Sequence, residues 1–410
     1  MIYNIFINII FIYIFTTKIT SLIIPFETET SSNNNNFILD NLNNSIFITL
    51  QLSEPIQNIK FYLRLDNFFT YISKSDNFKE SKYFSSFGSN YTFNKKNYLK
   101  GKKSTDLIYI NKNYYNFTFI YMTEFIKEEN VIGLRLQDNI NYDNEFNFIL
   151  KLKKKNIINE YIFYIEYFDE FKGNFIIGKY PHEINKKIYK NNFIYNKVSK
   201  INNQILWGIY FDTIFFDNFY FKEKNVLIKY EFGFIKGIKR LYVYLKENYF
   251  KNYFEKKFCN ETIYDNYTFF ICKKRLFSYK YFPNFYFNIK NLNYSFILDS
   301  NDLFKEENEI IYFLICFNIN DVNDNWIFGK PFLKKNILLF DIDKKIIGFY
   351  NNKSKFEKNN LKLIIINIIL FFIIFVLIFI IFKLIIKISS NRKIRANELE
   401  ENIIYKTLIN

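Results

Sequence analysis

The sequence predicts a mainly β protein of two lobes, set between two apolar segments. Phenylalanine and tyrosine contribute 53 and 34 of the 410 residues, and they recur with isoleucine in many short runs. Aromatic and β-branched runs of this kind are typical of strands rather than helices. Without the apolar segments about 340 residues remain, enough for two domains that each bury a hydrophobic core.

The first element is the apolar segment at residues 1–15, MIYNIFINIIFIYIF. Its length is that of the apolar region of a signal peptide, and small polar residues follow it. We therefore expect residues 1–20 to be a signal peptide that is cleaved near Thr20.

A series of strand and turn patterns follows in the next 300 residues or so. In chain order they are IFITLQLSEPIQNIKFYLRLDNFFTYI at 46–72, ENVIGLRL at 129–136, GNFIIGKY at 173–180, LWGIYFDTIFF at 206–216 and FPNFYFNIKNLNYSF at 282–296. Each combines apolar alternation with turn residues, as short strands do.

The most informative pattern is the last one, WIFGKPFLKKNILLFDIDKKIIGFY at residues 326–350. Gly329 and Gly348 allow a backbone geometry or a close approach that a Cβ would obstruct. The apolar residues around Phe340 and Ile347 alternate as they do in half-buried strands.

In this order the patterns resemble those of the pepsin-like aspartic protease family. The last one resembles the W-I-L-G and I-G-F strands that close the second lobe of such enzymes. The resemblance implies a mainly β, bilobal pepsin-like acid protease fold, with a peptide-binding cleft between the lobes. We place the N-terminal lobe at residues 40–190 and the C-terminal lobe at 200–352, with the boundary in the polar stretch 185–200.

Catalysis in that family depends on two aspartates that face each other, share one proton and hold a water molecule. Alignment of residues 57–72 with the first family motif puts Arg64 at the first aspartate position. Alignment of VLIKYEFGFI, at 226–235, with the second motif puts Lys229 at the other. Arginine stays protonated and has no lone pair for a proton, and a lysine beside it adds a second cation. The resemblance thus implies a degenerate dyad.

Two carboxylates stand close to these positions, Asp66 and Glu231, each two residues farther along the chain. A slip or bulge in each strand would bring them to the centre as an alternative catalytic pair. Residues two apart share a strand face, so we also expect Arg64 and Asp66 on one side, and Lys229 and Glu231 likewise. This predicts crossed ion pairs, Arg64 with Glu231 and Lys229 with Asp66. The alternative is that all four side chains are partly exposed and pair with whichever charged groups lie near.

Other functional classes lack a signature in this sequence. His182 is the only histidine and lies in a YPHEI loop, where we expect a solvated surface residue rather than part of a triad. HExxH, paired CxxC and GxGxxG motifs are missing, so we expect no metal and no cofactor. The net charge of +16 comes from dispersed lysines, which argues against nucleic acid as a partner.

The three cysteines all lie in the predicted second lobe. They suit an oxidising compartment. The resemblance pairs Cys272 with Cys316 as the second-lobe loop disulfide and leaves Cys259 over. A Cys259 to Cys272 bridge is the competing assignment.

A second apolar segment, residues 363–382, has Asn367 as its single polar member. As a helix it is long enough to cross a hydrocarbon core of about 30 Å. With the signal peptide, it predicts a single-pass type I membrane protein with a cytosolic tail at 383–410. In that tail, YKTL places Tyr405 and Leu408 as the two anchors of a sorting motif that an adaptor could bind.

The region between the apolar segments carries sequons for N-glycosylation, and the tail carries none. The candidate acceptors are Asn43, Asn90, Asn116, Asn260, Asn266, Asn293 and Asn352. They place this region on the lumenal or extracellular side, in the secretory or endosomal pathway or at the cell surface.

Three functions fit these observations. The leading hypothesis is a membrane-anchored, catalytically inactive pepsin-like protein that binds a peptide or protein in its interlobe cleft. The alternative is an active aspartic endopeptidase that uses Asp66 and Glu231. A third is a structural surface glycoprotein whose cleft is filled.

Overall fold

Strands dominate this computed structural model. It describes residues 21–29, 37–42, 45–74, 78–93, 99–123, 129–136, 146–201, 204–321, 325–351, 367–377, 379–381 and 383. The predicted signal peptide, Asn43, Asn352 and the sorting residues Tyr405 and Leu408 lie outside the described residues.

Within the described residues, the aromatic and β-branched runs form 26 strands. They are β1 (Leu22–Thr28), β2 (Ile46–Leu52), β3 (Gln57–Arg64), β4 (Tyr71–Ser73), β5 (Ser85–Phe93), β6 (Leu99–Ile110), β7 (Asn113–Met122), β8 (Val131–Gly133), β9 (Ile162–Tyr167), β10 (Lys172–Ile177), β11 (Phe193–Lys197), β12 (Lys200–Ile201), β13 (Gln204–Ile205), β14 (Gly208–Phe216), β15 (Phe219–Ile228), β16 (Ile235–Gly237), β17 (Cys259–Tyr264), β18 (Tyr267–Lys273), β19 (Phe285–Ile289), β20 (Tyr294–Leu298), β21 (Phe304–Glu307), β22 (Ile310–Phe313), β23 (Ile315–Phe317), β24 (Trp326–Phe328), β25 (Leu339–Asp341) and β26 (Ile346–Tyr350).

Helices in the same part of the chain are short. They are α1 (Phe37–Leu42), α2 (Phe148–Lys154), α3 (Pro181–Ile184), α4 (Lys239–Leu245), α5 (Lys251–Glu255), α6 (Ser300–Leu303) and α7 (Lys330–Lys335), with a π-helical turn at Lys246–Phe250 and 3₁₀ turns at Lys190–Asn192 and Lys290–Leu292. The predicted mainly β class is therefore confirmed.

The strands form two large sheets. The first has thirteen strands in the order β11-β26-β25-β9-β10-β1-β2-β3-β8-β4-β7-β6-β5. The second has eleven, in the order β20-β19-β14-β15-β24-β16-β23-β18-β22-β21, with β17 paired to β18. A separate pair joins β12 to β13.

The same pairing pattern occurs once in each sheet. In the first, β3 is parallel to β8, β8 is antiparallel to β4, and β4 is parallel to β7. In the second, β15 is parallel to β24, β24 is antiparallel to β16, and β16 is parallel to β23. The two copies of this pattern share an order of strand pairing, but no repeated amino-acid pattern is visible in the sequence.

The pattern at residues 326–350, expected to close the second lobe, is divided between the sheets. Strand β24 lies inside the second sheet, whereas β25 pairs with β9 and β26 with β11 in the first. Helix α7 separates them and redirects the chain. The lobe limits 40–190 and 200–352 remain predictions.

The core is aromatic and continues from one half of the chain into the other. Trp207 is buried, with its ring centroid 5.8 Å from that of Phe163 and 5.0 Å from that of Phe340. Phe163 stacks on Phe340 at 5.1 Å. Because these rings come from β9, β25 and the residue before β14, the packing holds both halves of the chain together.

Residues 351–410 form a separate unit. Residues 367–377 and 379–381 of the predicted membrane segment are helical and their apolar side chains are exposed, whereas 363–366, 378 and 382 lie outside the described residues. Among the residues that are described, no helix combines the length and apolarity needed to cross a bilayer.

Candidate functional site

The two candidate dyad positions occupy corresponding places in the repeated strand pattern. Arg64 ends β3 and is opposite Gly133 of the parallel strand β8. Lys229 directly follows β15, one residue beyond the pair formed by Ile228 and Phe328. The register therefore places Lys229 opposite Gly329, the counterpart of Gly133.

Both glycines are needed because a loop folds back closely over each of them. A Cβ on Gly133 would meet the carbonyl carbon of Phe68 at 2.5 Å. A Cβ on Gly329 would meet the carbonyl oxygen of Phe232 at 1.9 Å. The loops after Arg64 and Lys229 therefore have the same close backbone packing, which brings the residues after each strand to the centre between the sheets.

Lys229 connects the two loops. Its Nζ lies 3.4 Å from Glu231 Oε1 in its own loop and 3.9 Å from Asp66 Oδ2 in the other. The crossed pair between Lys229 and Asp66 is thus formed. The two carboxylate oxygens are no farther apart than the sum of these distances.

The other expected crossed pair is not formed. Arg64 Nη2 instead pairs with Glu129 Oε2 at 3.0 Å, and no ion pair joins Arg64 to Glu231. Glu129 lies two residues before β8, the strand that pairs with β3, so it reaches Arg64 within one lobe. The shared-face argument also fails for the acids, because Asp66 and Glu231 lie in turns beyond the ends of β3 and β15.

The surrounding charges and burial shift the pKa values of Glu231 and Arg64. Burial raises the pKa of Glu231, the charge of Asp66 raises it further, and Lys229 and Arg64 partly oppose both effects. Glu231 Oε2 is out of contact with solvent and has no hydrogen-bond partner among the described residues. For Arg64, burial lowers the pKa, but Glu231 and Glu129 together raise it above its usual value.

Sequence reasoning missed the residues that fix this centre. Trp207 Nε1 donates a hydrogen bond of 2.7 Å to the carbonyl of Leu134, just beyond Gly133. Arg135 lies over the ring of Phe68 at 4.1 Å and donates to Gln204 Oε1. The tryptophan lies in a pattern noticed in the sequence, but the pattern does not indicate which carbonyl it would meet.

Helix α1 covers the loop that follows Lys229. Its buried residues Ile38 and Leu42 pack with Phe232 and Phe234. A Cβ on Gly233 would meet the carbonyl oxygen of Asn41 at 1.9 Å, so glycine permits this contact. No sequence pattern predicts α1, because six residues do not show a helical period.

A model of the eukaryotic aspartyl protease family matches residues 73–352. The chain belongs to that family. The matched range begins after Arg64 and Asp66, and it includes Lys229 and Glu231. No curated protein matches the sequence.

The fold of this aspartyl protease family member is similar to that of a solved plant protein. The crystal structure of basic 7S globulin from soybean matches with a TM-score of 0.57 and 10% identity, over 80% of this chain and 96% of the globulin chain. At this identity the similarity concerns the fold alone, and it supports the two-lobed pepsin-like architecture.

The disulfide predicted between Cys272 and Cys316 is wrong. Cys259 and Cys272 are directly opposite on β17 and β18 and form the bridge, with their Cα atoms 3.9 Å apart. Cys316 is a buried free thiol on β23. Thr268 of β18 is opposite Phe317 of the antiparallel strand β23, so the register places Phe269 opposite Cys316. Cys272 lies three residues farther along β18, too far for a bridge to Cys316.

Four of the predicted glycosylation acceptors have described side chains, and all four are exposed. They are Asn116 in β7, Asn260 in β17, Asn266 in a turn and Asn293 at the end of a 3₁₀ turn. Asn90 lies in β5. An exposed acceptor is compatible with a glycan.

The single histidine is partly buried rather than fully solvated. The Nδ1 of His182 lies 2.6 Å from the hydroxyl of Tyr350, and its ring stacks on Tyr180 at 5.3 Å. Burial lowers its pKa. These contacts place His182 beside the C-terminal end of β26, because Tyr350 is the last residue of that strand.

Proposed function

We propose that this aspartyl protease family member is a non-catalytic protein that binds a peptide or protein segment between its lobes. One observation carries the proposal. Arg64 and Lys229 stand at corresponding positions opposite Gly133 and Gly329, where the alignment expects the two catalytic aspartates.

The charges around these positions oppose aspartic catalysis. A working dyad needs two carboxylates that share a proton and activate a water molecule. Here the ammonium group of Lys229 lies within ion-pair distance of both nearby carboxylates. An ammonium group has three donors and no acceptor, so it can neutralise the acids but cannot take a proton from water.

A cleavage assay tests the proposal. The full chain is incubated with a mixture of fluorogenic peptides at about pH 3 to 6, with and without pepstatin. We expect no pepstatin-sensitive cleavage, and we expect the same peptides to bind in an equilibrium assay at neutral pH. Cleavage that is inhibited by pepstatin and abolished in Glu231→Gln would contradict the proposal that the protein is non-catalytic.

A second candidate function is aspartic endopeptidase activity by Asp66 and Glu231. The raised pKa of Glu231 favours it, because burial and the charge of Asp66 both contribute, as they do in paired catalytic carboxylates. The Asp66→Asn and Glu231→Gln variants test it, since each would have to abolish any activity of the parent chain.

A third candidate is a structural surface glycoprotein with a filled cleft. The packing of α1 over Gly233 supports it, because this helix covers the second-lobe loop beside Glu231. Absence of both peptide cleavage and peptide binding would favour this function.

We further propose that the protein is a single-pass type I membrane protein of the secretory or endosomal pathway or the cell surface. Its apolar segments support this topology, as do the exposed acceptors Asn116, Asn260, Asn266 and Asn293. We expect Tyr405 and Leu408 to bind a sorting adaptor. Glycosidase digestion should increase the electrophoretic mobility of the expressed protein, and protease added to intact membranes should remove a C-terminal tag.

A further inference from the structure

Four lysines and two acids line a cavity of about 350 Å³ beside α1, α6 and α7, which we call the lysine cavity. The lysines are Lys305, Lys330, Lys334 and Lys335, and the acids are Glu170 and Asp302. Gly233 also lines the lysine cavity. The charged residues at the centre between the sheets, Arg64, Asp66, Lys229 and Glu231, do not line it.

Three of the four lysines have acidic partners. Glu170 pairs with Lys305 and, at 3.3 Å, with Lys334. Lys335 pairs with Asp302 and, at 3.0 Å, with Asp299 just outside the lining. These three lysines thus share three carboxylates, Glu170, Asp299 and Asp302, within ion-pair distance.

The fourth lysine, Lys330, has no carboxylate within ion-pair distance among the described residues. This residue is only 4% exposed, and its Nζ has no hydrogen-bond partner within the part of the chain that the structure describes. Its Nζ lies over the ring of Phe171, 5.1 Å from the ring centroid. A buried ammonium without an anion or acceptor is unfavourable, so the site has an unmet requirement for negative charge.

The neighbouring charges do not remove this requirement. Burial lowers the pKa of Lys330 to about 8; the charges of Glu170 and Asp169 raise it, and those of Lys334 and Lys305 lower it. Lys330 is therefore mostly protonated at neutral pH. The carboxylate of Glu170 is already engaged by two other lysines.

We propose that the lysine cavity binds a phosphate group, either free phosphate or the phosphate of a small organic ester, with Lys330 as the ammonium that its charge neutralises. Lysine is a common phosphate ligand and acts as a compact point charge. A phosphate offers several acceptor oxygens, which suits ammonium groups that converge from α7 and β21. The four-carbon stem of Lys330 allows its ammonium to follow the ligand.

Calorimetric titration of the full chain tests the proposal. Inorganic phosphate and phosphoserine are titrated in separate experiments at about pH 7, with acetate as the carboxylate probe. We expect saturable binding of at least one phosphate probe and at least tenfold weaker binding by Lys330→Met. The matched control is Lys251→Met, which removes an exposed lysine on α5, and it should bind like the parent chain.

Glu170→Gln provides a second variant with the opposite expected effect. It removes the acid that neutralises Lys305 and Lys334, so phosphate should bind several times more tightly. Lys330→Met should have a melting temperature at or above that of the parent chain in phosphate-free buffer, since it removes an unpaired buried charge. No phosphate binding, equal binding by Lys330→Met, or binding of acetate alone would overturn the proposal. Tighter binding of phosphoserine than of phosphate would favour a small organic ester over free phosphate.

Discussion

At the residue scale, the centre between the sheets holds a mixed set of two cations and three carboxylates. Lys229 contacts Asp66 and Glu231, and Arg64 contacts Glu129. Each cation thus has a carboxylate within 4 Å. The two cations therefore do not depend on a bound ligand for neutralisation, unlike Lys330 in the lysine cavity.

Glu231→Gln should change how stability depends on pH. The pKa of Glu231 is raised above 4.5 by burial and by Asp66, so the folded state favours its protonated form. The stability from this group is present below about pH 4.5 and is lost as pH rises through the raised pKa. We expect the variant to match the parent near pH 4 and to have the higher melting temperature near pH 7.

The control for this prediction is Glu247→Gln, which neutralises a carboxylate that is 55% exposed on the helical surface. Its melting temperature should follow that of the parent at both pH values. An equal offset between Glu231→Gln and the parent at both pH values would show that Glu231 has no shifted titration in the folded protein.

At the element scale, two short features are held in place by a few side chains. Helix α1 is anchored by Ile38 and Leu42, and the β17–β18 hairpin is tied by the bridge between Cys259 and Cys272. Neither feature belongs to a long helix or strand with a repeating apolar pattern. Both depend on single side chains, which makes them accessible to point mutation.

Two neighbouring residues test how α1 is attached. Ile38 is 1% exposed and Leu39 is 40% exposed on the same helix. We expect Ile38→Ala to reduce the free energy of unfolding by about 2 kcal/mol or more, because it empties a packed site. Leu39→Ala should change it by about 0.5 kcal/mol or less.

Hydrogen exchange locates that effect. The amides of Phe37–Leu42 should exchange faster in Ile38→Ala than in the parent chain, and those of Leu39→Ala should remain protected. If the two variants lose equal stability, α1 does not dock through its buried face.

Thiol alkylation tests the disulfide assignment. Denaturation without a reductant should leave a single reactive thiol, at Cys316, because Cys259 and Cys272 are bridged. Opening the bridge, which joins residues 13 apart, should lower the stability by about 2 to 3 kcal/mol. Mass spectrometry that finds the label on Cys259 would contradict the assignment.

At the scale of the whole molecule, contacts between the two halves of the chain include strand pairing and a buried hydrogen bond of Trp207. Trp207 Nε1 donates to the carbonyl of Leu134, whereas Trp326 Nε1 is buried and has no hydrogen-bond partner among the described residues. The two tryptophans therefore form a natural matched pair.

Trp207→Phe should cost about 1 to 3 kcal/mol more in unfolding free energy than Trp326→Phe. The first leaves the Leu134 carbonyl without its donor in the core, and the second removes a donor that is already unsatisfied. Both lose a similar ring volume, so the cavity cost largely cancels. Chemical denaturation of both variants measures the difference, and equal losses would mean that the Trp207 hydrogen bond adds no net stability.

Much of this architecture is predictable from the sequence because strand patterns and turn glycines are local signals. The strands around Gly133 and Gly329 lie where the patterns place them. The ion-pair partners of charged residues are not predictable in this way. Glu129 and Arg64 are far apart in the chain and meet only because β3 pairs with β8. The prediction of a Cys272 to Cys316 disulfide was wrong for the same reason. The register between β18 and β23 cannot be derived from the local sequence of either strand.

Strand β26 is the last strand of the folded unit, and the chain continues from it at Asn351 towards the second apolar segment. The strand is hydrogen-bonded on both sides, to β11 and to β25. A pulling force applied to the chain beyond residue 351 therefore enters the molecule at an interior strand. Such a strand cannot be peeled from a free edge, so two rows of hydrogen bonds resist the load together.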